Sequence, residues 1–158
     1  MLIIVYIIIF EYELFVVIKN KLYDFVIFHR SGVLLFSYDF EEQREIDDSI
    51  LKGSILIGIN HILSNFINKK DKLSLIKMRD RDIIFEYDSE YGYAILMIVD
   101  HRNKTIERAV KKFMNEFSEY HEKVLTKINQ HSQLIDTSEF KSTKLIIDDY
   151  FKPFLKKK

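Results

Sequence analysis

The sequence predicts an α+β fold, one five-stranded antiparallel sheet with helices on both faces in the order β-β-α-β-β-β-α-α, preceded by an apolar N-terminal extension. Three observations predict it. Two groups of β-rich runs, at 22–36 and 72–99, are broken by short turn-like stretches. Segments at 50–66 and 106–128 repeat apolar residues at helical spacing. The runs "FVIF" (25–28) and "AILMIV" (94–99) do not alternate polar with apolar residues, so their strands should be covered on both faces.

Taken in order, 22–28 and 33–36 meet across "HRSG", where Ser31 and Gly32 supply turn chemistry, and read as a β-hairpin. The acidic stretch 41–48 reads as a polar approach to a helix, with Asp47, Asp48 or Ser49 as caps. From 50 to 66, Leu51, Ile55, Ile59, Ile62 and Phe66 mark one helix face. Gly53 and Gly58 lie within it, each costing about 1 kcal/mol against alanine, which suggests close packing against that backbone.

The runs 72–78, 83–87 and 93–99, separated by "RDRD" and "DSEYG", read as an antiparallel meander. The second helix carries Ile106, Val110, Phe113, Phe117, Tyr120, Val124 and Ile128 as one stripe, with Asn103 or Thr105 as its cap. A break at "NQHSQLID" follows. Asp136 and Glu139 then resemble a capping box for a last helix bearing Phe140, Ile147, Tyr150, Phe151 and Phe154, with Pro153 in its last turn.

Length and composition narrow the function. At 158 residues the chain is one domain's worth, divided as an apolar extension over 1–20, a folded unit over 21–155 and a basic tail over 156–158. Cysteine is absent, which removes disulfides, thiolate metal sites and a cysteine nucleophile and fits a cytoplasmic protein. Acidic and basic residues balance at 24 each, so no footprint for nucleic acid is present.

The search for chemistry finds no strong motif. His121-Glu122 starts the zinc-protease pattern, but Leu125 stands where its second histidine is required. Gly53 and Gly58 have phosphate-loop spacing, yet Ile59-Asn60 replaces the Lys-Ser/Thr pair. His29 and Arg30 beside Ser31 offer a base and a nucleophile, but at a turn with no acid evident to orient the ring. Asp47-Asp48 and Asp148-Asp149 read as caps or solvated pairs, His121 as a surface histidine, and Tyr87, Tyr91 and Tyr93 as cross-strand packing. No catalytic residue, cofactor or metal is therefore assigned.

The stretches "YDFVIFHRSGVLLFSYDF", "RDIIFEYDSEYGYAILMIVDHRNKTIERAVKKFMNEFSEY" and "FKSTKLIIDDYFKPFL" resemble the first hairpin, the strand–turn–strand–long-helix core and the last helix of longin-domain proteins. Stand-alone members, including archaeal ones, are the nearer comparison, since no SNARE segment follows the last helix. The resemblance covers about 22–155 and is one of pattern, without an invariant signature. It implies a profilin-like αβα sandwich and a non-catalytic protein–protein interaction module, as in vesicle trafficking and small-GTPase regulation. A roadblock-like dimerisation module is the alternative in the same class, and a small hydrolase or transferase using His29 or the acidic stretch 41–48 the alternative in another.

The partner expected is another protein, a small GTPase or a longin or roadblock chain, in a homo- or heterodimer. The candidate contact residues are Ile55, Ile59 and Ile62 on the first predicted helix. Nine clean apolar residues from Leu2 to Phe10 precede Glu11 and Glu13, too few for a span of about 20. The extension up to Ile18 therefore reads as an added strand, or as a start codon placed too early. Together with the lysine tail it also offers a peripheral membrane contact.

Overall fold

The computed structural model describes residues 20–31, 33–45, 58, 74–130 and 136–154. They form strands β1 (Leu22–His29), β2 (Leu34–Asp39), β3 (Arg44–Glu45), β4 (Leu75–Lys77), β5 (Asp82–Tyr87) and β6 (Tyr93–Val99). Helices α1 (Lys104–Tyr120) and α2 (Glu122–Gln130) follow. After them come a 3-10 turn at Thr137–Ser142, helix α3 (Thr143–Phe151) and a closing 3-10 turn at Lys152–Phe154.

The sheet is antiparallel in the order β3-β2-β1-β6-β5-β4. It has six strands among the described residues, where the sequence predicts five. The added strand is β3, which pairs Glu45 with Tyr38 and Arg44 with Asp39. Its cause lies in the preceding turn. Asp39 Oδ1 accepts the N–H groups of Glu41 and Glu42, and Gln43 takes a left-handed φ of 54°, so the chain returns along β2 before the expected helix.

Both faces of the central strands are buried, as their unbroken apolar runs require. On one face Phe25, Ile27, Tyr93, Ile95, Met97 and Val99 pack with Ile106, Val110, Phe113 and Phe117 of α1 and Ile147 and Phe151 of α3. Phe25, Phe113 and Phe151 form its centre, with ring centroids 5.0, 5.4 and 5.8 Å apart. On the other face Val26, Phe28, Phe85, Ala94 and Leu96 form a second apolar cluster, against which no described helix packs. Among the described residues the helices form one layer, on one face of the sheet, and the helix predicted for the other face falls at 50–66.

The helix predicted at 50–66 lies outside the described residues except for Gly58, which is helical. Among the described residues a Cβ added there would meet nothing within 4 Å, so they show no close packing at this glycine, and Gly53 lies outside them. The extension over 1–19, Gly32 and the tail from 155 also lie outside the described residues.

The long amphipathic helix is cut in two. Asn103 caps α1, its Oδ1 accepting the Ile106 N–H at 2.8 Å. The helix ends at His121, whose N–H donates to the Phe117 carbonyl and whose own carbonyl accepts from Leu125 at 2.9 Å. The buried stripe shifts by one residue at this break. His121 and Leu125 enter the core where the spacing predicts Tyr120 and Val124, and Tyr120 is left 60 % exposed.

Candidate interaction surfaces

Three surfaces gather polar or exposed apolar side chains. At one end of the sheet, the β1–β2 hairpin tip meets the β5–β6 turn and α2. The Arg30 N–H donates to the Gly92 carbonyl at 2.8 Å, and Gly92 takes a φ of +72°. Asn129 on α2 fastens both: its Oδ1 faces His29 Nε2 at 3.2 Å and Arg30 Nη2 at 2.7 Å, while its Nδ2 donates to the Tyr91 carbonyl at 2.9 Å.

The Ser31 N–H donates to His29 Nδ1 at 3.2 Å and the Ser31 hydroxyl lies 2.8 Å from the same nitrogen. Nδ1 is therefore the acceptor and Nε2 carries the proton donated to Asn129. Burial, and after it the charge of Arg30, pushes the His29 imidazole below its ordinary value against the raising effect of the Asn129 hydrogen bond. The ring is neutral at pH 7, and it can take a proton on Nδ1 only by giving up the contact with the Ser31 N–H. Sequence reasoning found His29, Arg30 and Ser31 but missed Asn129, which stands in the stretch read as a break. No local signal marks it.

The second surface lies on the outer side of the helical layer. Lys112, Asn115, Glu116, Glu119 and Tyr120 of α1 and Tyr150 of α3 line a shallow groove of about 550 Å³. The Tyr150 hydroxyl donates to Glu116 Oε2, which raises the phenol above its ordinary value. Beyond Tyr120 a second hollow of about 470 Å³ is bounded by Glu119, Glu122, Lys123, Glu139 and Ser142. Leu145, on the solvent side of α3, is 71 % exposed.

His121, which borders the second hollow, is buried, 3 % exposed, which corrects its reading as a surface residue. Its ring lies 4.8 Å from Phe117 and 4.9 Å from Phe140, and Nε2 is 3.0 Å from Thr143 Oγ1. Burial pushes its pKa down to about 4.

The third surface is the opposite end of the sheet. The Tyr23 hydroxyl donates to Asp100 Oδ1 at 2.6 Å, and the Tyr23 ring carries the Arg81 guanidinium at 3.7 Å and the Lys21 ammonium at 4.8 Å. Asn20 is bonded in both directions to the His101 backbone.

The tyrosine cluster separates in the structure. Tyr93 faces the helices and donates to the Met114 carbonyl at 3.0 Å, whereas Tyr87 packs against the other face, so the two rings share no platform. Asp148 and Asp149 are exposed on α3, while Asp47 and Asp48 lie outside the described residues. So do Ile55, Ile59 and Ile62, the predicted contact residues. Among the described residues no group of three or more histidines or acids is placed to hold a metal, and no helix is long and apolar enough to cross a membrane. No protein-family model matches the sequence, and no curated protein matches it either.

Proposed function

We propose that the chain is a non-catalytic protein–protein interaction module of the longin-like kind, whose partner is a small GTPase or a second longin or roadblock chain in a membrane-traffic or GTPase-regulatory complex. The observation that carries the reading is Tyr120. It lies at the edge of the apolar face of α1 and stands 60 % exposed between two hollows on the helical layer, with Tyr150 across the groove. Tyrosine is enriched where interfaces concentrate their binding energy, because it buries a large rigid ring at low entropic cost and keeps a polar tip.

The shallow form of the groove agrees with a macromolecular partner, since small-molecule sites enclose most of their ligand's surface. Ile55, Ile59 and Ile62 extend the proposed contact by sequence alone. Size-exclusion chromatography with light scattering tests the reading, using the purified chain mixed with small GTPases from the same source in both nucleotide states. A co-eluting complex of defined stoichiometry is the expected result. A strictly monomeric chain that joins none of them would remove the proposal.

A further inference from the structure

The turn closing the β4–β5 hairpin exposes an apolar side chain among cations. The Met78 N–H donates to the Arg81 carbonyl at 2.9 Å, which puts Arg79 and Asp80 at the tip, and residues 77–81 are all exposed. Met78 is 47 % exposed. Beside it stand Lys77, Arg79 and Arg81, none in an ion pair among the described residues, against one exposed acid, Asp80. The other acid of the stretch, Asp82, is buried and its Oδ2 accepts the Arg102 N–H at 2.8 Å. The tip therefore presents three cations and one anion to solvent around a thioether side chain.

Its base is held firmly. Arg81 stacks on Tyr23, which is anchored to Asp100, and Asp100 Oδ2 also accepts the Lys21 N–H at 3.0 Å. Lys21 faces the same ring, so a further cation, paired with Glu41, borders the tip. A projecting apolar side chain bracketed by cations matches the boundary of an anionic bilayer, where the thioether enters the acyl region and the cations meet the headgroups.

We propose that the β4–β5 hairpin tip, Lys77, Met78, Arg79 and Arg81, docks the chain on an anionic lipid surface. Strand register places this tip at the end of the sheet where α1 begins, since Asp82 pairs with Val99 and the Asp100 N–H donates to Lys21. The 17 residues of α1 then run about 25 Å toward the other end. A chain docked in this way holds Tyr120 away from the bilayer. The proposal is independent of the interaction reading and differs from a contact through the N-terminal extension or the lysine tail.

Co-sedimentation of the full chain with phosphatidylcholine vesicles, with and without phosphatidylserine, tests it. The parent is expected to pellet with the anionic vesicles only, and less so as salt is raised. Arg79→Glu reverses one charge and should weaken that binding about 20-fold, and Met78→Asp should weaken it at least as much. Both sites are exposed, and circular dichroism confirms that the variants fold. Absence of binding to anionic vesicles, equal binding to neutral ones, or variants that bind like the parent would each overturn the proposal. So would a parent that ignores vesicles but captures a polyglutamate peptide through these residues, which would assign the tip to an acidic protein segment.

Discussion

His121 Nε2 lies 3.0 Å from the Thr143 hydroxyl, and this buried pair joins the end of α1 to the start of α3 beneath the Phe117 and Phe140 rings. The ring is held neutral, its pKa lowered from 6.5 to about 4. The unfolded chain takes up a proton as pH falls through 6.5, while the folded chain does not until about 4. Unfolding therefore binds protons in this window, and stability falls with falling pH. A loss on the order of 2 kcal/mol is expected between these limits. His29, whose pKa is also lowered, acts in the same direction. Urea unfolding at pH 7 and at pH 4.5 measures the effect. His121→Phe should remove most of this histidine's share of the slope, and an unchanged slope would show that the ring is not the source.

Asn129 ties the hairpin tip to α2 through His29, Arg30 and the Tyr91 carbonyl. Asn129→Ala leaves a buried imidazole N–H without its acceptor and should cost about 2–3 kcal/mol. It should also lower the His29 pKa further, because the hydrogen bond to Asn129 is what raises it. Asn129→Asp should raise that pKa by adding a negative charge at the same distance. Proton NMR titration of His29 in the three proteins reads the order directly.

The β5–β6 turn carries a second constraint. At Gly92 the φ of +72° disfavours any residue with a Cβ, and a Cβ there would meet Arg30 Cδ and Nε at 2.8 Å. Gly92→Ala is expected to destabilise by about 2 kcal/mol, part from the left-handed backbone and part from displacing Arg30 off Asn129. In an Arg30→Ala background only the backbone part should remain, near 1 kcal/mol. A double-mutant cycle from thermal unfolding separates the two. Additive costs would mean that Arg30 moves aside freely.

Much of this fold was legible before any coordinates. The hairpin, the meander and the two-sided burial of β1 and β6 followed from short-range turn chemistry and the absence of alternation, both local properties of the chain. The strand β3 was not legible, because it depends on an Asp39 carboxylate bending the next three residues, and a two-residue strand has no period to detect.

The shift at His121 was partly legible. At 100° per residue, Tyr120 falls about 65° from the centre of the face formed by Ile106, Val110, Phe113, Met114 and Phe117, and His121 about 35°. Counting apolar residues placed Tyr120 in the core, whereas measuring the angle favours the histidine. Asn129 and the exposed turn at Met78 were invisible as sites, since each takes its meaning from partners 20 to 100 positions away or from its exposure.

The interaction reading makes Tyr120 an anchor that the fold itself does not need. Analytical ultracentrifugation of the parent chain and Tyr120→Ala, each alone and with small GTPases or longin and roadblock chains from the same source, tests this most directly. The parent should form a complex of defined stoichiometry with at least one of them. Tyr120→Ala should keep the parent's melting temperature within about 2 °C and weaken that complex by tenfold or more. A parent that stays monomeric with every partner, or a complex that Tyr120→Ala leaves untouched, would contradict the account.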